Sequence, residues 1–271
     1  MPELPEVETT RRGIAEHLHG QHVTGVTVRQ AKLRYPVPDT LADHICGLPV
    51  TAVRRRAKYL LLDVTGGSVM IHLGMSGSLR VLPSDTPAQK HDHVDIVFGE
   101  RLLRLHDPRR FGAVLWIPEP VAEHPLLAGL GLEPLEAGFD GPWLHAASRG
   151  ARTPIKLWLM DAAHVVGVGN IYASESLFRA RIHPATPAGR LSAARCERLA
   201  QCVRETLQEA LAAGGSTLRD FVAVNGRSGY FQQSYFVYAR EDEPCRVCEG
   251  PIRKRVMGQR STFFCPRCQK A

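Results

Sequence analysis

The chain is 271 residues long, with 44% hydrophobic and 23% charged residues, so two domains are expected and a mostly disordered chain is excluded. Its 34 Lys and Arg against 27 Asp and Glu leave a net charge of +7, which suits a polyanion without establishing one. No run reaches the roughly 18 apolar residues that cross a bilayer, and no apolar signal core opens the chain, so a soluble, cytoplasmic protein off the membrane is expected.

The first element is a short helix. In Glu3-Leu4-Pro5-Glu6-Val7-Glu8, Pro5 suits the first turn and the acids suit its positive end, while Val7, Ile14 and Leu18 share one face. Apolar runs follow at 23–28, 59–64, 69–73, 94–98, 102–105 and 113–117, punctuated by Gly, Pro and Asp. Short strands at such spacing predict a sandwich or barrel. Between Pro118 and Trp143 prolines and glycines interleave, which reads as helical turns leading into a linker. Helical periodicity dominates from Thr153. Leu199, Cys202, Val203, Leu207, Ala210 and Leu211 make an apolar stripe that Gly214-Gly215 stops.

Four of the 7 cysteines close the chain: Cys245-x2-Cys248 and Cys265-x2-Cys268, 16 residues apart. In a reducing compartment this spacing predicts one structural zinc, with all four positions of a tetrahedral shell taken by sulfur. Metal binding lets a segment too small for a core fold. Cys46, Cys196 and Cys202 read as buried fillers. Around the last cysteines lie Arg253, Lys254, Arg255, Arg260, Arg267 and Lys270, with no acid after Pro251, which reads as a phosphate-contacting hairpin.

Position 2 is Pro. Removal of Met1 would expose a secondary amine, and α-amino groups titrate near 8, so a neutral, nucleophilic fraction exists at pH 7. Glu3 and Glu6 lie beside it as acid or base. The same residues also serve simply to start a helix, and spacing alone does not separate the two readings.

Several segments in chain order, MPELPEVETTRRG, RRRAKYLLL, IHLGMSGSLR, KHDHVDIVF, DPRRFG, VVGVGNIYASESLF and the final CxxC pair, resemble the formamidopyrimidine-DNA glycosylase family over the whole chain. The resemblance implies a bifunctional repair enzyme that excises oxidised purines from double-stranded DNA and then nicks the abasic strand by β,δ-elimination. It implies Pro2 as the nucleophile, Glu3 as general acid, Lys58 as a proton donor near β-elimination, and Arg260 at the lesion phosphates. Arg never loses its charge, so Arg260 reads as electrostatic stabilisation.

An extruded base leaves a gap. Met75 in Leu73-Gly74-Met75-Ser76-Gly77 and Phe111 in Asp107-Pro108-Arg109-Arg110-Phe111-Gly112 are apolar wedges beside turn residues, and Arg109 is a forked donor for the widowed base. All three match family positions for that part. The family also implies DNA contacts by His91 and by Asn170 on a helix–two-turn–helix; Lys156 just upstream and the charge of Arg152 before the helical domain are read as further DNA contacts. Val224–Tyr230 resembles the family's loop over the extruded base, and Tyr238-Ala239-Arg240 carries Ala where many relatives carry Gly.

The expectation is therefore an α+β, two-domain monomer: an N-terminal β-sandwich with a leading helix (1–132), a linker (133–150), a helical DNA-binding domain (151–238) and a zinc-finger β-hairpin (239–271), with DNA between the domains. An endonuclease VIII-like enzyme for oxidised pyrimidines and a non-catalytic zinc-containing damaged-DNA binder are the alternatives.

Overall fold

The computed structural model describes residues 2–214 and 235–270. They form two units, one built on the chain up to Ala128 and one on Gly129–Ala212 with the zinc-hairpin segment.

In the first unit, α1 (Leu4–Leu18) is capped reciprocally. The Glu3 side chain accepts the Glu6 backbone N–H, and the Glu6 carboxylate accepts the Glu3 N–H at 2.8 Å, a capping box. Leu4, Val7, Ile14 and Leu18 are buried, each worth about 2 kcal/mol against exposure. At 15 residues the helix is longer than the short one expected.

Eight strands follow: β1 (Gly25–Val28), β2 (Ala52–Arg56), β3 (Tyr59–Val64), β4 (Gly67–His72), β5 (Ser78–Pro83), β6 (Asp92–Phe98), β7 (Arg101–His106) and β8 (Ala113–Pro118), with α2 (Leu41–Ile45) between β1 and β2. They pair antiparallel into two four-stranded sheets, β1-β6-β7-β5 and β2-β3-β4-β8. Alternate residues of both, such as Leu60, Leu62, Ile71, Ile96, Leu103 and Leu105, enter one core with α1, the two-residue period of half-buried strands. Each apolar run read as a strand lies in one, although β1 begins only at Gly25. The strands β2 and β5 carried no such signal, because Arg54, Arg55, Arg56 and Arg80 interrupt them. A short helix, α3 (Pro125–Ala128), ends this unit.

The second unit contains α4 (Gly141–Ala147), α5 (Ile155–Met160), α6 (Asn170–Arg179) and α7 (Ala193–Ala212), then the hairpin of β9 (Arg253–Met257) and β10 (Arg260–Phe264). The stretch read as a linker carries α4, whose N-cap Asp140 accepts the Trp143 N–H at 2.8 Å and whose Gly141 backbone lies directly on Glu197 of α7. The α7 stripe is buried from Leu199 to Ala210, and Gly214 ends the helix at φ +78°, as a left-handed C-terminal cap does. Cys196 and Cys202 are buried as expected, but Cys46 is exposed. It caps α2 on the surface, where one turn of helix offers no second layer to cover it.

Glu175 fixes the approach to the zinc hairpin. Its buried carboxylate accepts the backbone N–H groups of Phe236, Val237 and Tyr238 at 2.8, 2.9 and 2.9 Å. Ala239 follows at φ +59°, the left-handed region that glycine occupies without penalty.

Candidate active site and nucleic-acid interface

The N-terminal constellation is built on the first turn of α1. Pro2, Glu3 and Glu6 are all buried, and the capping box fixes the backbone directly after Pro2. One oxygen of Glu6 is engaged by the Glu3 N–H, so the carboxylate orients the residue that follows Pro2. Lys58 occupies the two-residue turn between β2 and β3, closed by the Arg56–Tyr59 pair. Arg55 donates to Ala57 O at 2.9 Å within that turn and to Glu8 of α1 at 3.2 Å, which ties the lysine turn to the helix carrying the N-terminus. Burial pushes the Glu8 carboxyl up, but hydrogen bonds from Arg11 and Arg12, with Arg55 nearby, hold it below the usual range.

His72, at the end of β4, is a candidate site residue that the sequence analysis did not single out. Burial, reinforced by the nearby charges of Arg34 and Lys58, brings its pKa down to about 4. Its Nδ1 accepts the Gly74 N–H at 3.0 Å, so the neutral ring carries its proton on Nε2. A neutral ring that feels two nearby cations is a candidate contact for an anion. The only sequence signal was a histidine ending an apolar strand run before glycine.

The gap-filling candidates share one surface of the first unit. Phe111 is 45% exposed, and the Arg109 guanidinium lies 4.9 Å from its ring centre, which excludes core packing for Phe111. Met75 is half-buried. The preceding Gly74, at φ +64°, lies so close to the Phe111–Gly112 backbone that a Cβ there would overlap it, so the two turns touch through main chain. His91 adopts φ +76°, with its ring 6.2 Å from His93 and 6.0 Å from His106. Partial burial, with Lys90, His106 and His93, lowers its pKa.

In the second unit, Lys156, Asn170 and the strand that begins at Arg260 converge from three segments. The Lys156 ammonium donates to Asn170 Oδ1 at 2.5 Å, Thr262 Oγ1 at 2.7 Å and Ser261 O at 3.3 Å. Asn170 Nδ2 donates to Ser261 O at 2.9 Å. Lys156 is fully buried, so its charge organises this junction from within, whereas Arg260 and Arg152 are exposed. Gly258 and Gln259, at φ +51° and +59°, make the tight turn that puts Arg260 at the hairpin tip, the backbone geometry of a type I′ hairpin. Gly169 is the N-cap residue of α6, whose first residue is Asn170. The Val224–Tyr230 loop lies outside the described residues.

The sulfurs of Cys245, Cys248, Cys265 and Cys268 lie within 4.8 Å of one another. Two pairs measure 3.9 and 3.4 Å, against about 3.8 Å for a tetrahedron with 2.3 Å Zn–S bonds. The Cys268 N–H points at Cys265 Sγ at 3.4 Å, and Gln269 Oε1 accepts the Cys265 N–H at 2.9 Å. The donor set fits one structural zinc, with no position left for substrate.

A two-sheet unit led by a capped N-terminal helix is thus joined in one chain to a helical unit with a four-cysteine hairpin. The models for the formamidopyrimidine-DNA glycosylase N-terminal domain, its H2TH domain and the zinc finger found in FPG and IleRS match residues 1–114, 130–222 and 242–271. The chain belongs to the formamidopyrimidine-DNA glycosylase family. It is 64% identical over 270 residues to the formamidopyrimidine-DNA glycosylase of Aromatoleum aromaticum and 58% identical over 273 residues to that of Janthinobacterium sp., with 100% of each chain covered. Among solved structures it is similar to MutM (Fpg) of Thermus thermophilus, at TM-score 0.89 and 39% identity, covering 99% of this chain and 98% of that one. It is also similar to Lactococcus lactis Fpg bound to abasic-site DNA, at TM-score 0.92 and 32% identity, covering 99% and 100%. Among the described residues no helix is long and apolar enough to cross a membrane.

Proposed function

We propose that this chain is a DNA repair glycosylase that removes oxidised purines, chiefly 8-oxoguanine and formamidopyrimidines, from duplex DNA and cleaves the resulting abasic strand. The reading rests on similarity to formamidopyrimidine-DNA glycosylases along the full chain. For the placement of the chemistry, the carrying observation is the reciprocal Glu3–Glu6 cap, which holds the backbone rigid where Pro2 must attack.

With Met1 removed, the neutral Pro2 nitrogen attacks C1′ and the base leaves with the glycosidic electron pair and a proton. Glu3 protonates the ring oxygen as the sugar opens, giving an iminium. Loss of a C2′ proton then expels the 3′ phosphate, and a second elimination expels the 5′ phosphate. Hydrolysis of the iminium returns free Pro2. Lys58, on the turn tied to α1, serves proton transfer in the eliminations, while Arg260 stabilises the leaving phosphates as a fixed charge. Asn170 holds a flanking phosphate in a position set by Lys156, and Arg152 and His91 add backbone contacts. Met75 and Phe111 fill the vacated stack, and Arg109 faces the widowed base. Zinc keeps the hairpin folded and takes no part in a bond-breaking step. The setting is the cytoplasm, with the enzyme acting as a monomer on DNA.

Borohydride reduction with an 8-oxoguanine duplex tests this reading. The expected result is a covalent adduct mapping to Pro2 in protein whose intact mass lacks Met1. Pro2→Gly should cut turnover sharply with DNA affinity retained. No adduct with intact binding would instead establish a non-catalytic binder, and stronger excision of oxidised pyrimidines would establish the endonuclease VIII-like alternative.

A further inference from the structure

The proposed reading leaves Asp107 without a task, although it is fully buried in the middle of the gap-filling surface. Its Oδ1 accepts the Ser76 hydroxyl at 3.1 Å and the Arg109 N–H at 3.3 Å, and its Oδ2 accepts the Gly112 N–H at 2.7 Å. Its backbone is equally engaged. The N–H donates to His91 O at 3.0 Å, and the carbonyl accepts Arg110 N–H at 3.2 Å and His93 Nε2–H at 2.8 Å.

These bonds reach every turn that carries a candidate for the vacated stack, Met75 through its neighbour Ser76 and Arg109 and Phe111 through the flanking amides, and they also hold the neighbouring His91 through its carbonyl. Two of the residues held, His91 and Arg110, sit at φ +76° and +56°, a region costing about 1 kcal/mol or more for a non-glycine residue. Such conformations persist only where the surroundings over-determine them. Gly112 has no room for a side chain, because a Cβ would lie 2.8 Å from His72 O and 3.0 Å from Asp107 Oδ2. The carboxylate can thus grip the main chain at close range.

We propose that Asp107 is a positioning residue for gap filling: its buried carboxylate locks the Met75 and Arg109–Phe111 turns into one rigid probe, so that both enter the base stack together. The inference rests on the gap-filling part of the proposed function. Rigidity matters because each wedge ordered on binding would otherwise cost side-chain and loop entropy when the base is evicted.

Asp107→Asn tests it, since the amide keeps the shape but presents a donor to one of the two N–H groups that the carboxylate accepts. The probe is duplex DNA with 8-oxoguanine opposite C or A and 2-aminopurine beside the lesion, whose fluorescence rises as the stack opens. The expected result is excision opposite C slowed by about tenfold or more, a smaller fluorescence rise, and weakened discrimination between C and A, with affinity for abasic-analogue duplex nearly unchanged. Ser76→Ala, which removes one bond at little risk to folding, should move every readout the same way by less. An unchanged fluorescence rise and rate in Asp107→Asn, or in Ser76→Ala should Asp107→Asn not fold, overturns the proposal. So does an equal slowing on both opposite bases that merely tracks lost thermal stability. If Met75→Ala and Phe111→Ala leave fluorescence and excision intact, the gap-filling reading itself fails. If they impair both while Asp107→Asn does not, only the positioning role fails.

Discussion

Replacing Lys156 by Met separates two physical accounts of one charge. A lysine touching DNA neutralises a phosphate and releases counterions, so its removal should lower the slope of log affinity against log salt by about 0.9. The structure instead encloses the ammonium among Asn170, Thr262 and Ser261. Bonds from a charged donor contribute roughly 1.5–3 kcal/mol each. Relief of the buried charge offsets much of their loss, so Lys156→Met should cost only about 1–3 kcal/mol of stability. With Asn170 and the strand after Arg260 no longer fixed, reordering them on DNA should cost about tenfold in affinity, or roughly 1.4 kcal/mol. Fluorescence anisotropy with an abasic-analogue duplex across a salt series measures both quantities. The expected pattern is weaker binding with the salt slope unchanged, while Arg260→Gln lowers the slope by about one. A slope that falls as far in Lys156→Met as in Arg260→Gln would refute the internal role.

His72 sets a pH dependence. Its folded pKa of about 4 lies below the ordinary 6.5, so the unfolded chain takes up the extra proton and stability falls as pH drops from 6.5 towards 4, by at most about 3 kcal/mol. Thermal unfolding across that window should be less steep in His72→Gln, and parallel curves would rule this out. Ala239→Gly should raise stability by about 0.5–1 kcal/mol by relieving a left-handed alanine, read as a higher denaturation midpoint. Chelation should release one zinc per chain, followed with a chromophoric chelator, and weaken DNA binding as the hairpin unfolds. Binding that survives complete zinc loss would count against a phosphate contact on that hairpin.

The four cysteines, the capped first helix, the α7 stripe and most strands were readable because each is written in short-range spacing: CxxC for a metal, Pro with acids for a helix start, periods of 2 and 3.6 for buried faces. Met75, and Arg109 with Phe111, stood out in the sequence beside turn residues, and the structure places them on two turns that touch through main chain. What spacing cannot carry is the bonding between distant segments. Nothing local to Asp107 distinguishes a surface turn acid from a carboxylate reaching back 31 residues to Ser76. Nothing local to Lys156 indicates that its partners lie 14 and 106 residues away, and a basic residue in the first turn of a short helix reads by default as exposed. Glu175 looked like an ordinary helical acid until the fold brought three amides to it from 61 to 63 residues on. Sequence therefore determined which chemical groups the protein has and which local elements carry them. Tertiary structure decided which charges face solvent and which are enclosed, because burying an ionised group requires partners that only the closed chain assembles.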